Sequence, residues 1–363
     1  MIALRRAVPA LALPALLLAG CAAQIGPRTI PHARSDYGAA IVHSWDEQLL
    51  LNLVRLRYRD NPLFLEVGSV VTHYMAAAGA NASAQVTAQG SDTLSSALSA
   101  NLSYAEEPTI TYSPLQGDDF VSRLLSPISP ANLVLLSQSG WSIERLLLCC
   151  VQKVNGLRNA TGAAGPTPDY APPFADFQHL AKLLRKLQIA GLIEATVAED
   201  GKTVSLLFND APAGPLAEQS QEARKLLGIE GDATTLRITP SLIRKGKDEV
   251  AVTGRSLLSV LFYFSQAVEV PAEDEKAGRV TITLKEDGQR FDWLEATGNL
   301  MRVRTAAGDP SNAAVKVRYR GAWFYIADDD LNSKTTFNLL TYLFALKAGS
   351  HQVREPLLTL GVQ

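Results

Sequence analysis

Few residues of this sequence stand in the patterns that catalysis or metal binding requires. The five histidines are scattered, with no pair at metal-ligand spacing, so we expect surface or hydrogen-bonded core positions for most of them. No Gly-x-Ser-x-Gly, P-loop, dinucleotide-binding or His-Glu-x-x-His motif occurs. We favour a non-enzymatic role and predict no metal and no cofactor, although an enzyme with dispersed residues stays possible. The histidines are His32, His43, His73, His179 and His351.

Two adjacent cysteines, Cys149 and Cys150, lie in a leucine-rich stretch that is predicted to be helical. A disulfide between them would need a distorted, non-helical backbone, and free cysteine is among the most buried residue types. We therefore expect two small buried thiols. Because Cys21 is the only other cysteine, a scaffold held together by disulfides is excluded.

Three residues near the end of the chain, Asp328, Asp330 and Asn332, imitate the opening of a calcium-binding loop. The sixth position of that loop needs glycine but holds Ser333, and the twelfth needs glutamate but holds Leu339. We favour a solvated acidic turn that leads into a helix capped by Ser333.

Alternating cations, Lys316, Arg318 and Arg320, occupy a predicted strand, and two more arginines lie on a similar strand. They could present a basic face to acidic lipid headgroups or to a partner. We favour the solvated outer face of an antiparallel sheet. The two further arginines are Arg302 and Arg304, and the neighbouring aromatic residues, expected in the core, are Trp323, Phe324 and Tyr325.

The first twenty residues have the layout of a signal peptide. Arg5 and Arg6 form a short basic region, and an apolar segment of about a dozen residues follows them. A relaxed membrane-spanning helix needs roughly 20 apolar residues, and two prolines weaken this segment further. The segment ends in Leu18-Ala19-Gly20-Cys21, which resembles the lipobox of bacterial lipoproteins.

The lipobox resemblance implies cleavage between Gly20 and Cys21 and acylation of the cysteine. One acyl chain binds a membrane only reversibly, so the two or three chains of such a lipoprotein make a stable anchor in the lipid bilayer. The residue after the cysteine is Ala22 and not aspartate, which in Gram-negative lipoproteins implies transport to the outer membrane. We therefore expect a lipid-anchored protein of the cell envelope, at the outer membrane if the organism is diderm.

The mature chain, residues 21–363, has 343 residues, enough for a sizeable core and two domains. Removing Arg5 and Arg6 from the 34 basic side chains leaves 32 against 36 acidic ones, a net charge of −4. This balance excludes the electrostatic footprint of a nucleic-acid-binding protein and a polybasic membrane stripe.

The periodicities of the mature chain predict an α+β fold: helices with short antiparallel sheets, plus a long β-hairpin rich in Ala, Ser and Asn. A Gly- and Pro-rich stretch is the clearest internal linker. The predicted organisation is signal peptide 1–20, tether 21–37, helical domain 38–158 with the hairpin 72–104 inserted, linker 159–173 and α+β domain 174–363. The main predicted helices are 44–60, 118–125, 130–138, 142–155, 173–190, 216–227, 256–266 and 333–348, and the main strands outside the hairpin are 63–71, 204–208, 235–239, 279–285 and a pair within 314–326.

The stretch from Thr72 to Tyr104 is almost free of charge and alternates with a period of two, the side-chain period of a β-strand. Its even positions are mostly apolar, and its odd positions from Gly79 onward are mostly small or polar. Gln89-Gly90-Ser91-Asp92 indicates a turn. The candidate interaction residues all lie at even positions: Tyr74, Ala80, Ala84, Val86, Leu98, Leu102 and Tyr104.

Two long uncharged strands with one apolar face are typical of a hairpin that enters a membrane, where each strand needs about 9 to 11 residues. Lipid forbids open strand edges, so this interpretation requires an oligomer in which each subunit donates one hairpin. An ordinary long surface hairpin is the alternative, because alanine is a weak lipid-facing residue and only Tyr74 and Tyr104 could serve as interfacial aromatics. A helix beginning after Asp92 and a flexible loop also remain open.

We therefore expect a membrane-anchored envelope lipoprotein that acts as a scaffold or assembly subunit. It would assemble with itself, or with an envelope complex, through the 72–104 hairpin. The alternative is an envelope enzyme or a small-ligand-binding lipoprotein, with a pocket between the halves that join near residue 165.

Overall fold

The computed structural model describes residues 25–87, 93–165, 168–229, 231, 233–297 and 300–348. It confirms the α+β class, with helices beside small antiparallel and mixed sheets. The predicted signal peptide 1–20, Cys21 and His351 lie outside the described residues. The described chain forms two compact units, which are the hairpin unit, Leu63–Gln116, and the body, made of the described residues on either side of it.

The hairpin unit consists of β1, Leu65–Thr87, and β2, Thr93–Pro114, paired antiparallel from end to end. This pairing confirms the hairpin prediction, excludes the helix alternative, and extends the ladder well beyond 72–104. One extra residue, Gly68, forms a bulge, because its neighbours Val67 and Ser69 pair with the adjacent residues Tyr112 and Thr111. Within the described chain, the sheet of this unit contains these two strands alone.

The body contains the remaining elements. Its helices are α1 (Ile25–Arg57), α2 (Asp118–Leu125), α3 (Pro130–Gln138), α4 (Ile143–Cys150), α5 (Ala175–Ile189), α6 (Pro215–Leu226), α7 (Leu257–Ser265), α8 (Ala272–Lys276), α9 (Trp293–Thr297) and α10 (Leu331–Ala348), with a 3₁₀ turn at Thr161–Ala164. Its strands are β3 (Val151–Val154), β4 (Leu157–Arg158), β5 (Ile193–Val197), β6 (Val204–Phe208), β7 (Thr235–Thr239), β8 (Glu249–Gly254), β9 (Arg304–Ala306), β10 (Ala313–Tyr319) and β11 (Ala322–Ala327).

Helix α1 differs from its prediction at the N-terminal end. We expected an irregular tether up to residue 37 and a helix beginning after Ser44, but helical backbone begins at Ile25. Pro27 and Pro31 lie in the first two turns of this helix, and no proline follows within it, so from residue 32 to Arg57 no proline interrupts the helix. The second half of α1 supplies core residues, of which Leu50, Leu53 and Val54 are fully buried.

A six-stranded sheet with the order β4-β3-β8-β7-β6-β5 joins both halves of the body. Strands β3 and β4 precede residues 159–173 and β8 follows them, so the two expected domains share one sheet and the 159–173 segment does not separate independent cores. We predicted that α4 would continue to Asn155, but it ends at Cys150 and the chain goes on as β3, which pairs with β8. The partner strand, remote in sequence, decides this boundary.

A second sheet, in the order β10-β11-β9, contains the predicted hairpin, which turns at Arg320 and Gly321 with positive φ angles of 49° and 88°. These angles match the tight two-residue turn that suits the strand twist. The predicted strand 279–285 is wrong: apart from single bridges from Leu284 to Tyr170 and Arg290, it has no ladder in the described chain. An alternating pattern forms a strand only where a partner edge is available.

Candidate functional site

The hairpin places all seven candidate interaction residues on one face. Residues that lie directly opposite each other in an antiparallel pair share a face, and beyond the bulge every even residue of β1 pairs with an even residue of β2. The pairs that contain the candidates are Tyr74 with Glu106, Ala76 with Tyr104, Ala78 with Leu102, Ala80 with Ala100, Ala82 with Leu98, Ala84 with Ser96 and Val86 with Leu94.

The register also aligns the aromatic and charged positions of the two strands. Tyr74 pairs with Glu106 and Tyr104 pairs with Ala76, so the two tyrosines are offset by two residues along the ladder. Between these tyrosines and the turn, the sequence has Asp92 as its one charged residue. The segments beyond the tyrosines are 13 residues in β1 and 11 in β2, which fits the roughly 9 to 11 residues that a membrane-crossing strand needs.

The outer edges of the hairpin are open. From Ser69 to Thr87 and from Thr93 to Leu102, no further strand of the described chain lies beside β1 or β2. Each strand therefore offers a row of backbone N–H and C=O groups to another chain. An isolated two-stranded hairpin is marginally stable at best in water, so a ladder of this length calls for additional strands or a covering surface.

A separate cleft of about 370 Å³ lies within the body, a volume in the range of small-molecule sites. Its walls come from the end of α1, the segment after α7, and the residues that follow α8 up to α9. The side chains that carry its chemistry are Arg57, Gln266, Glu275, Ile282, Arg290 and Trp293.

Arg57 is the buried cation of this cleft, with 5% of its surface exposed. Its Nη1 donates a hydrogen bond to the carbonyl oxygen of Thr281 at 3.2 Å, whereas its Nε has no hydrogen-bond partner among the residues that the structure describes. Burial lowers the pKa of Arg57 to about 10, and the charge of Glu275 opposes that shift. The guanidinium therefore stays charged at neutral pH while it is largely desolvated, a costly state that an anionic ligand would relieve.

Two glutamates in the cleft are already held by other arginines. Glu275 accepts two hydrogen bonds from Arg290, at 2.7 and 2.8 Å, and Glu269 accepts one from Arg302 at 2.5 Å. Their charges are thus compensated, which leaves Arg57 without a carboxylate hydrogen-bond partner among the described residues. Sequence analysis missed this site, because its walls come from segments that are about 200 residues apart in the chain.

A second buried cation, Arg255, organises the junction of α4, β3 and α7. It is fully buried, and its Nη1 donates to the carbonyl oxygens of Leu148 and Cys149 at 2.7 and 3.0 Å. Its Nη2 donates to the carbonyl oxygen of Asn159 at 2.5 Å, and its guanidinium carbon lies 4.0 Å from the ring centre of Tyr263. Arg255 thus satisfies the carbonyl groups at the C-terminal end of α4.

The structure confirms that Cys149 and Cys150 are free, buried thiols in the last turn of α4. A hydrogen bond with Cys149, together with burial, raises the pKa of the Cys150 thiol well above its ordinary value. The junction between β8 and α7 is also closely packed. A Cβ atom on Gly254 would lie 2.3 Å from the carbonyl oxygen of Ile128, so glycine is required there.

The acidic turn does not gather its residues around one point. Asp330 accepts hydrogen bonds from the amide and hydroxyl of Ser333 and caps α10, whereas Asp328 pairs with Lys334. Asn332 instead accepts from Arg145 at 3.1 Å. We had expected Ser333 to cap this helix, but the capping side chain is Asp330.

The predicted basic strand is largely neutralised within the body. Lys316 pairs with Asp309 at 2.6 Å, Arg320 with Asp60 at 2.9 Å, and Arg302 with Glu269. Of the neighbouring aromatic residues, Phe324 is fully buried, whereas Trp323 and Tyr325 are half-buried. Two histidines with described side chains, His43 and His179, each contact a glutamate at the surface.

A polar cluster joins the end of α1 to α8. The hydroxyl of Tyr58 donates to the buried carboxylate of Asp274 at 2.5 Å, and Arg279 pairs with the other carboxylate oxygen. Burial alone would raise the pKa of Asp274, but these two hydrogen bonds outweigh it and hold that pKa below its ordinary value. The cluster is expected to stabilise the fold only while Asp274 is ionised.

No helix in the described part of the chain is long and apolar enough to cross a membrane. No protein-family model, curated protein or solved structure matches the chain. The geometry of the hairpin and of the cleft must therefore carry the functional argument.

Proposed function

We propose that this protein is a bacterial envelope lipoprotein, anchored through acylated Cys21, that assembles with further copies of itself through the hairpin unit. The observation that carries the proposal is the long two-stranded ladder, beside whose outer edges the described chain places no third strand. Backbone pairing between hairpins of neighbouring subunits would satisfy those edges. It would also bring the even faces into one continuous apolar surface, on a chain that the lipid anchor holds at a bilayer.

Particle mass tests this assembly. The full-length protein is expressed in a diderm host, its membranes are solubilised in mild detergent, and its mass is compared with that of a variant lacking residues 76–103. We expect a multi-subunit particle for the full chain and a monomer for the deletion, because the deletion removes most of the open edge. Intact mass of the same preparation checks the acylation of Cys21.

Two point variants act as matched controls for the deletion. Ala80→Lys with Ala84→Lys charges the even face, whereas Asn81→Lys with Ser83→Lys charges the odd face of the same strand segment. A lysine on a lipid-facing strand costs about 2–4 kcal/mol at mid-membrane, so the first variant should be monomeric and the second should assemble. A monomeric full-length protein, or equal behaviour of the two lysine variants, would contradict the proposal.

A second candidate function is the binding of a small carboxylate in the cleft, favoured by the desolvated guanidinium of Arg57. Benzoate and acetate serve as probes, and binding is measured as a rise in the melting temperature of the full-length protein. A ligand at 100 times its dissociation constant adds about 2.7 kcal/mol of stability. Ile282→Trp should abolish the shift, because Ile282 lines the cleft and a larger side chain would fill it without touching Arg57. Equal rises in melting temperature for the wild-type and Ile282→Trp proteins would contradict this candidate function.

A further inference from the structure

A surface loop between two strands of the six-stranded sheet exposes two large aliphatic side chains side by side. The loop, residues 240–248, connects the parallel strands β7 and β8. Leu242 and Ile243 at its tip are 67% and 73% exposed. Single exposed aliphatic residues are common on protein surfaces, but an adjacent pair at the tip of one loop forms a small apolar patch.

Hydrogen bonds hold the loop in the conformation that exposes these two side chains. The Ser241 hydroxyl donates to the carbonyl oxygen of Ile243 and accepts from its amide. Arg244 donates from Nε to the carbonyl oxygen of Gly246 at 2.7 Å and from its other nitrogens to the carbonyl oxygens of Gly228 and Lys247. These five hydrogen bonds hold the tip in place, and Leu242 and Ile243 stay exposed.

A buried carboxylate anchors the far side of the loop. Glu249, at the start of β8, is buried and accepts from the backbone amides of Lys245 and Gly246 at 3.1 and 3.0 Å. The carboxylate thereby holds the loop backbone, and its negative charge still counts in the charge balance of the loop.

Cations surround the aliphatic pair. Lys245 and Lys247 are exposed, Arg244 bonds only to carbonyl oxygens, and Lys153 donates from Nζ to the carbonyl oxygen of Leu242 at 3.3 Å. The loop contains three cations, Arg244, Lys245 and Lys247, and Lys153 contacts it, whereas Asp248 and the adjoining Glu249 are its two carboxylates, so these described residues carry a positive balance. Leu331 offers the opposite case: it is 71% exposed, but it follows Asp328, Asp329 and Asp330 in the chain.

We propose that the 240–248 loop is a second membrane contact, which inserts Leu242 and Ile243 into the headgroup region of a bilayer that contains anionic phospholipid. Aliphatic side chains gain by leaving water, and lysines beside them gain from the negative surface potential of such a bilayer. The combination of charge complementarity and a fixed apolar tip selects an anionic bilayer over a neutral one. This inference does not rest on assembly through the hairpin.

An environment-sensitive label tests the insertion. The full-length Ile243→Cys variant is labelled with the fluorophore NBD. It is mixed with vesicles of phosphatidylcholine that contain either no anionic lipid or about 30% phosphatidylglycerol. Cys149 and Cys150 are buried, and the unmutated parent chain carried through the same labelling gives the background. We expect a blue-shifted emission, at least a twofold rise in intensity and quenching by brominated lipid, all in the anionic vesicles.

Two variants separate the proposed contact from non-specific adsorption. The same label on Leu331→Cys should keep the emission it has in water, because that site is equally exposed but acidic. Lys245→Glu with Lys247→Glu should reduce the response at position 243 at least fivefold. The proposal is overturned if label 243 keeps its water-like emission with anionic vesicles, if labels 243 and 331 respond alike, or if label 243 is already shielded without vesicles.

Discussion

Replacing Arg255 with leucine is expected to lower the free energy of unfolding by about 3 kcal/mol. The change removes the donors to the carbonyl oxygens of Leu148, Cys149 and Asn159, all within a fully buried site. Leu148 keeps a second donor, Nδ2 of Asn159, so the carbonyl oxygens of Cys149 and Asn159 are the ones that lose their side-chain partner. Each buried carbonyl left without a partner costs about 1–3 kcal/mol, and the cost of burying the cation itself is recovered. The net effect stays large because the contact with the Tyr263 ring is lost as well.

A more exposed arginine of similar type provides the control for this experiment. Arg224 donates to the carbonyl oxygen of Ala233 at 2.8 Å and lies 4.5 Å from the ring centre of Phe208, but it is only half-buried. Arg224→Leu should cost about 1 kcal/mol. Thermal unfolding of the full-length protein measures both substitutions. Each kcal/mol of lost stability should lower the melting temperature by about 2 °C. Equal shifts for the two variants would contradict the special role of Arg255.

Replacing Asp274 with asparagine is expected to cost about 2 kcal/mol at pH 7 and progressively less as the pH falls below 3.8, the ordinary pKa of the group. The carboxylate accepts from both Tyr58 and Arg279, whereas an asparagine side chain has one acceptor oxygen and presents its NH₂ group to the other donor. The hydrogen bonds hold the pKa of Asp274 below its ordinary value of 3.8. Its ionised form therefore adds stability that is complete above pH 4 and disappears as the pH falls through the lowered pKa.

The difference between the wild-type and Asp274→Asn proteins isolates this effect, because other acid-titrating groups contribute to both. Denaturant unfolding at several pH values between 3 and 7 should show the gap closing on the acid side. Asp309→Asn breaks the surface pair with Lys316, in which the aspartate is well exposed, and should cost about 0.5 kcal/mol or less. A gap for Asp274→Asn that stays constant down to pH 3 would show that ionisation is not its cause.

Local signals in the sequence were sufficient for many of the elements. The helices Asp118–Leu125 and Pro130–Gln138 and the strands Val204–Phe208 and Thr235–Thr239 have the predicted bounds, because capping residues, proline and alternation act over a few residues. The errors lie where a distant partner decides. Residues 151–154 became β3 because β8 lies beside them, and residues 279–285 formed no strand because no edge was offered.

The candidate sites divide in the same way. Strict alternation over more than a dozen residues was enough to predict the hairpin and the shared face of its candidate residues, which the register confirms. The cleft could not be predicted, because Arg57 and Gln266 are more than 200 residues apart and come together only through the packing of α1 against α7. Sequence patterns of period two or 3.6 carry no information about such a meeting.

The bulge at Gly68 determines which residues of β1 share a face along the whole hairpin. In a regular strand Val67 and Val70, three residues apart, would lie on opposite faces. The extra residue lets both pair with even residues of β2, Tyr112 and Ile110, so one face runs unbroken from the base of the hairpin to its turn. Without this extra residue, the apolar face at the base of the hairpin and the apolar face near its turn would lie on opposite sides of the sheet. The apolar faces of neighbouring hairpins could then align along only half their length.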